Sequence, residues 1–207
     1  RQQAEAKISI QLRRQQILEE ITQQIRDSLD IQEILETVTQ KIQDALYCDR
    51  AIVFQLFADG RSQIVEESVH SDFPILKDMC WEDEVWSQEI LDDYWQGIPR
   101  IVPDVMNDVW TECLVEYSIE GRIQSKIVAP IIQETHIDQS HRWVTTSGSK
   151  KLWGILVVHA CAERRIWQES EAQLLQQVAN QLAIAIQQAT LFEKAQQEIT
   201  ERKLAQQ

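Results

Sequence analysis

The sequence predicts an α+β fold, with a central antiparallel sheet, helices on both of its faces and a long helix at each end. Three observations carry this. Helical periodicity fills both ends of the chain, apolar β-type runs fill the middle, and an Asp59-Gly60 hairpin signal joins the first two runs. The order of helix, helix, hairpin, helical crossover, two strands and terminal helix is that of a sheet with helices packed on it.

Each element has its own signal. Residues 1–29 lack Gly and Pro, and Ile10, Ile17, Leu18, Ile21, Ile25 and Leu29 recur at helical spacing among Gln, Glu and Arg. The narrow stripe suits a bundle or coiled-coil partner, or a helix lying on its own domain. Asp30 is an N-cap for a second helix, with Glu33 at the reciprocal capping position and Ile34, Leu35, Val38, Ile42 and Leu46 on the buried face. Residues 51–57 and 62–69 are the hairpin strands. An irregular stretch with Pro74 follows, then a helix predicted from Glu82 to Tyr94 and ended by Gly97. Arg100 opens a short extended run that Pro103 confines to a sheet edge or a loop. The run around Cys113 reads as helix through Glu120, closed by Gly121 in a left-handed conformation. Residues 126–132 and 152–160 are buried strands, and the polar stretch 134–151 between them reads as an exposed loop. From Trp167 to the end the chain is one helix striped by Leu174, Leu175, Val178, Leu182, Ala185, Ile186 and Ala189.

Composition narrows the function. The chain has 207 residues, 43% of them hydrophobic, enough for one packed domain with flanking helices. A formal net charge of -13 argues against nucleic acid or an anionic membrane as the main partner, since both select basic patches. No apolar run is long enough to span a bilayer and no signal peptide is visible. The chain begins with Arg1, so the expectation is a piece of a longer cytoplasmic protein. Cys48, Cys80, Cys113 and Cys161 are scattered without a C-x-x-C pair, which fits reduced thiols better than disulfides or zinc. Only five Gly and no Walker or G-x-G-x-x-G run weigh against nucleotide cradling by a glycine loop.

The residues with chemical potential are few. Cys113 is flanked by Glu112 and Glu116, and negative neighbours disfavour a thiolate, so it is not a protease-type nucleophile. It remains either a small buried hydrophobe or a one-time attachment point for a reactive ligand. His159 lies in an apolar strand, either as a satisfied core histidine or as a ligand contact. Lys126 opens a strand and Glu82 opens a predicted helix, where an acid is favoured by the helix dipole alone.

Several motifs together resemble one family. They are Cys48-Asp-Arg50, Cys113-x-x-Glu116-Tyr117, Val128-x-Pro130-Ile131, Leu152-Trp-Gly154-x-Leu156-x-x-His159 and Trp167-x-x-x-Glu171-x-x-Leu174-Leu175. The chain resembles the GAF domains of cyanobacteriochromes, bilin photoreceptors related to phytochromes. The resemblance implies a bilin-binding GAF domain over residues 30–190, an N-terminal linker helix over 1–29 and a C-terminal linker helix over 191–207. That last helix would lead to PAS and histidine kinase modules in the same chain. It implies a photosensory domain that is not itself an enzyme, holding phycocyanobilin through a thioether to Cys113.

Leu114, where most relatives have His, together with Glu82 and Lys126, resembles the green/red subgroup of chromatic acclimation sensor kinases. In that subgroup the 15Z/15E switch moves the chromophore pKa, so Glu82 would stabilise the protonated bilin and Lys126 oppose it. The resemblance also sets His159 against the last ring. Trp110 and Tyr117 would pack on the rings or in the core, and Arg100 would pair with a propionate. Cys80 resembles a displaced second-cysteine motif and is expected to be structural. A parallel homodimer through the end helices is a further expectation. The rivals are a GAF domain for another small ligand, such as a cyclic nucleotide, and a redox or metal sensor using Cys113 and His159. No Asn-Lys-x-x-x-Phe-x-x-x-Asp-Glu run of the cyclic-nucleotide type is present.

Overall fold

The computed structural model describes residues 1–57, 59–79, 86–108, 115–134, 146–147 and 150–206. Its elements are α1 (Gln2–Arg26), α2 (Ile31–Leu46), β1 (Arg50–Leu56), β2 (Ser62–Val69), α3 (Gln88–Tyr94), β3 (Arg100–Val102), a 3-10 turn (Val105–Asn107), α4 (Val115–Glu120), β4 (Ser125–Glu134), β5 (Thr146–Ser147), β6 (Lys150–Ala160) and α5 (Glu169–Ala205). The sheet runs β2-β1-β6-β4-β3, with β5 paired to β6, and every pairing is antiparallel.

β1, β4 and β6 are buried along nearly their whole length, because helices cover both faces of the sheet. On one face α1, α2 and α5 contribute Ile21, Ile25, Val38, Ile42, Leu175 and Leu182, packed on Val53, Ile127, Leu156 and Val158. On the other face Ile52, Phe54, Val128 and Val157 meet Leu76, Trp86, Ile90, Leu91, Tyr94 and Tyr117. The strand residues alternate between the two faces with the period of two that a pleated strand imposes.

The end helices divide in use. Ile21 and Ile25 of α1 are each 1% exposed in the core, so the inner half of α1 lies on its own domain. Residues 2–13 of α1 and 191–205 of α5 are exposed. At 37 residues, α5 is roughly 55 Å long. No described helix is long and apolar enough to cross a membrane.

Local signals place most boundaries. The Asp30 carboxylate accepts from the N–H groups of Gln32 and Glu33. Glu33 closes the cap through an intermediary, since Asp30 N–H donates to Ser28 Oγ, which donates to Glu33 Oε2 at 2.8 Å. α2 ends on left-handed Tyr47 (φ 50), with Cys48 N–H donating to Gln43 O and Tyr47 N–H to Asp44 O, a Schellman arrangement. Gly60 (φ 83) turns the chain between β1 and β2, as Asp59-Gly60 predicts.

Three expectations are corrected. The helix expected from Glu82 begins at Gln88, where Ser87 Oγ accepts from Ile90 N–H; Glu82 itself lies outside the described residues. The left-handed residue closing α4 is Arg122 (φ 55), not Gly121, with Ile123 N–H donating to Ser118 O and Arg122 N–H to Ile119 O. Gly121 is needed for space instead, because a Cβ there would lie 3.0 Å from Leu76, Ile123 and Tyr117 O. Finally, the stretch expected as an exposed loop is partly strand. β4 extends to Glu134 opposite Lys150, and Thr146–Ser147 folds onto Lys151 and Lys150. Opposite charges at the Glu134–Lys150 pair favour the longer ladder.

Gly154 of β6 pairs with Gln55 of β1, and a Cβ there would fall 2.0 Å from the Phe54 carbonyl oxygen. Rigid backbone cannot yield as a side-chain tip can. Gly154→Ala is therefore expected to lower stability by at least about 2 kcal/mol, read as a fall in the urea midpoint at unchanged slope.

Candidate functional site

The register sets one line of residues across the sheet. Val102 pairs with Lys126, Lys126 with His159, His159 with Arg50, and Arg50 with Val69. Directly opposite residues of an antiparallel sheet share a face. The row beside it, Val128, Val157 and Ile52, belongs to the core under α3 and α4, so Lys126, His159 and Arg50 lie on that same face.

Arg50 is fully buried. Its Nε lies 2.9 Å from Glu67 Oε2, a contact made by charge and proximity rather than by an aligned hydrogen bond. Nη1 donates to Gly121 O at 3.0 Å and Nη2 to Pro74 O at 2.7 Å. Nη1 also lies 3.2 Å from His159 Nδ1 and 3.6 Å from Cys161 Sγ. The Glu67 carboxylate accepts from the N–H groups of Leu76 (2.8 Å) and Lys77 (2.9 Å). One buried ion pair thus joins β1 and β2 to the chain at 74–77 and to the end of α4.

His159 is fully buried. Burial first, then the charges of Arg50 and Lys126, hold its imidazole well below the usual histidine range. Its Nε2 lies 2.6 Å from Tyr117 Oη. Burial pushes the Tyr117 hydroxyl well above the ordinary tyrosine range, so it keeps its proton. The Tyr117 ring meets Phe54 edge-on at 5.5 Å between centroids, and Lys126 Nζ stands 6.0 Å from the same centroid. Lys126 is only 8% exposed. Arg100 lies on the same face through its register with Val128, and its Nη2 donates to Asp108 Oδ1 at 2.6 Å.

Among the sequence-predicted residues, the structure brings Lys126, His159 and Tyr117 together, and places Arg100 two positions along β3 from Val102, the partner of Lys126. Cys113, Leu114, Glu82 and Trp110 lie outside the described residues, as does Cys80. Cys48 and Cys161 are free and buried, and burial raises their thiols to about 12 and about 11. Among the described residues no three His, Cys, Asp or Glu side chains gather to hold a metal. Sequence reasoning cited Arg50 only within a motif and passed over Glu67. The available signal was slight: Arg50 precedes an apolar strand, and Glu67 sits in the partner strand beside a second acid, Glu66.

A GAF domain model matches residues 30–186. The chain belongs to the GAF domain family. Among curated relatives, the circadian input-output histidine kinase CikA of Thermosynechococcus vestitus is 29% identical over 195 residues, covering 89% of this chain and 24% of its own length. This GAF chain thus spans about a quarter of that relative. Among solved structures, a far-red cyanobacteriochrome photoreceptor is 60% identical, with a TM-score of 0.72 over 87% of this chain and 98% of that one. The phycocyanobilin-bound GAF domain of a cyanobacterial phytochrome is 27% identical, with a TM-score of 0.65 over 86% of this chain and 96% of that one.

His159 also sets an acid limit. In the unfolded chain it takes up a proton near pH 6.5, whereas the fold disfavours that proton. Its contribution is therefore complete above about pH 6.5 and is lost as pH falls below it, at up to about 1.4 kcal/mol per unit. Urea midpoints measured between about pH 7 and pH 5 should fall with acid, and less steeply in His159→Gln.

Proposed function

We propose that the chain is a photosensory GAF domain carrying a linear tetrapyrrole, phycocyanobilin, through a thioether to Cys113. The observation that carries this is the 60% identity to a far-red cyanobacteriochrome photoreceptor over 98% of that chain. The described donor set suits such a group. Lys126 and Arg100 are cations for carboxylates, Tyr117 offers a ring for packing, and the imidazole of His159 is neutral. When bound, the bilin supplies light absorption, a 15Z/15E isomerisation and a titratable ring system.

The residues of the chain then set that titration. Glu82 stabilises a cation and Lys126, on the sheet face under α4, opposes it. Leu114 removes a polar contact where a histidine would supply one. Such a balance places a ligand pKa near working pH, and one unit of change is worth about 1.4 kcal/mol. On this reading the two states absorb green and red. A second reading of the colour is favoured by the far-red relative, namely a pocket that holds the protonated bilin in a far-red-absorbing state.

The output is a histidine kinase module following α5 in the same chain, within a cytoplasmic sensor protein that serves chromatic acclimation. The similarity to CikA supports the kinase connection. Exposed Ile8 and Leu12 on α1, and Leu191 and Phe192 on α5, support a parallel homodimer through the end helices.

Co-expression with phycocyanobilin-making enzymes should yield a covalent, zinc-fluorescent, photoconverting pigment that Cys113→Ala abolishes. A colourless product sinks the proposal. Glu82→Gln should lower the chromophore pKa and Lys126→Gln should raise it, each by about one unit. Absorbance spectra of both photostates against pH check this and decide between the green/red and far-red readings.

A further inference from the structure

We propose that Arg50 is a positioning residue for the pocket: by donating to Nδ1 it fixes His159 as a neutral Nε2–H donor and removes the imidazole from the pocket's proton balance. The use of this device by a chromophore rests on the bilin reading above. The fixing of His159 is a property of the protein alone.

The hydrogen bonds dictate the tautomer. A guanidinium has five N–H donors and no acceptor. With Arg50 Nη1 at 3.2 Å, Nδ1 must present its lone pair, so the ring proton of a neutral imidazole sits on Nε2. Nε2 then faces Tyr117 Oη at 2.6 Å, an oxygen that can accept. An imidazolium would set N–H against N–H at 3.2 Å with like charges buried together.

The guanidinium cannot turn away to relieve this. Glu67 holds Nε, while Gly121 O and Pro74 O hold Nη1 and Nη2. Among the described residues, the groups around the imidazole are Arg50 from β1, Lys126 from β4, Tyr117 from α4, Cys161 after β6, and Glu67 from β2 behind Arg50. Two are cations, and the protonated phenol and thiol are neutral. Glu67 is committed to Arg50 and to the N–H groups of Leu76 and Lys77. The low proton affinity of His159 agrees with this census.

A histidine is ordinarily the side chain that titrates in the physiological range. Here burial, reinforced by a cation on the next strand, takes it out of that role. On the bilin reading, a proton exchanged by the pigment would then be balanced by Glu82 and Lys126, not by the imidazole.

The test begins with the colourless apoprotein. The ¹⁵N shifts of the His159 ring, assigned by their loss in His159→Gln, should report a neutral ring protonated on Nε2 from about pH 8 to about pH 5.5. In Arg50→Gln/Glu67→Gln, which removes both charges together, the ring should begin to titrate, with a pKa higher by at least about one unit. Arg50→Lys, which restores the cation, should return it to the neutral form. In the pigment, wild-type absorbance should titrate with one proton. The double variant should add a second step, and adding His159→Gln should remove it.

Titration of wild-type His159 near 6.5, a ring proton on Nδ1, or an unchanged double variant would overturn the proposal. If no pigment forms, the bilin reading fails while the apoprotein titration still decides the role of Arg50. If the double variant does not fold, the wild-type tautomer and Arg50→Lys decide it.

Discussion

A fully buried guanidinium holds the functional face of this domain together. Arg50 binds Glu67 of β2, the carbonyls of Pro74 and Gly121, and the imidazole of His159. Placing either charge of that pair alone in the core would be costly, since an uncompensated buried charge is worth about 3–5 kcal/mol of stability. The two must therefore fold in together, and the loop at 74–77 comes with them because the Glu67 carboxylate caps its N–H groups. The pair adds little to stability compared with an apolar replacement. What it adds is a fixed geometry at one end of the sheet.

The sheet separates two tasks. The face under α1, α2 and α5 is a continuous apolar core and holds the inner half of α5 on the domain. The opposite face is apolar toward β2 and α3, and carries Lys126, His159 and Arg50 in one row. The two faces meet in β4. Ser125, beside Lys126, accepts from Arg165 N–H at 2.8 Å and donates to Pro103 O at 2.7 Å. Arg165 in turn binds Leu46 O, Tyr47 O and Glu171, and stacks 4.2 Å from the Trp167 centroid. The strand that presents Lys126 is thus bonded to the segment that starts α5.

Local patterns carried most of the fold. The Asp30 cap, the Asp59-Gly60 turn and the apolar runs of β1, β4 and β6 are each decided within a few residues, so they are legible without partners. The boundaries that differed were settled by contacts. Glycine signals a left-handed helix end in general, yet Arg122 takes that conformation, and Gly121 lies instead where a Cβ would crowd Leu76 and Ile123. The stretch after Ile132 is polar, which reads as loop, but pairing of Glu134 with Lys150 keeps it in the ladder. Motifs singled out Lys126, His159 and Tyr117 in the site. The Glu67 contact went unseen because it joins residues whose spacing follows no motif.

The sequence by itself determined the class of the domain, its capped helices and hairpin, and the family to which it belongs, because these follow from periodicity and short motifs. It left His159 with two roles, core histidine or ligand contact. The tertiary structure set the imidazole in the core between Arg50 at Nδ1 and Tyr117 at Nε2, where burial and the nearby cations disfavour a second ring proton. Charge state depends on what lies within a few ångströms in space: strand register, which only the folded sheet defines, sets Arg50 beside His159, and the packing of α4 on that face brings Tyr117 to the same imidazole.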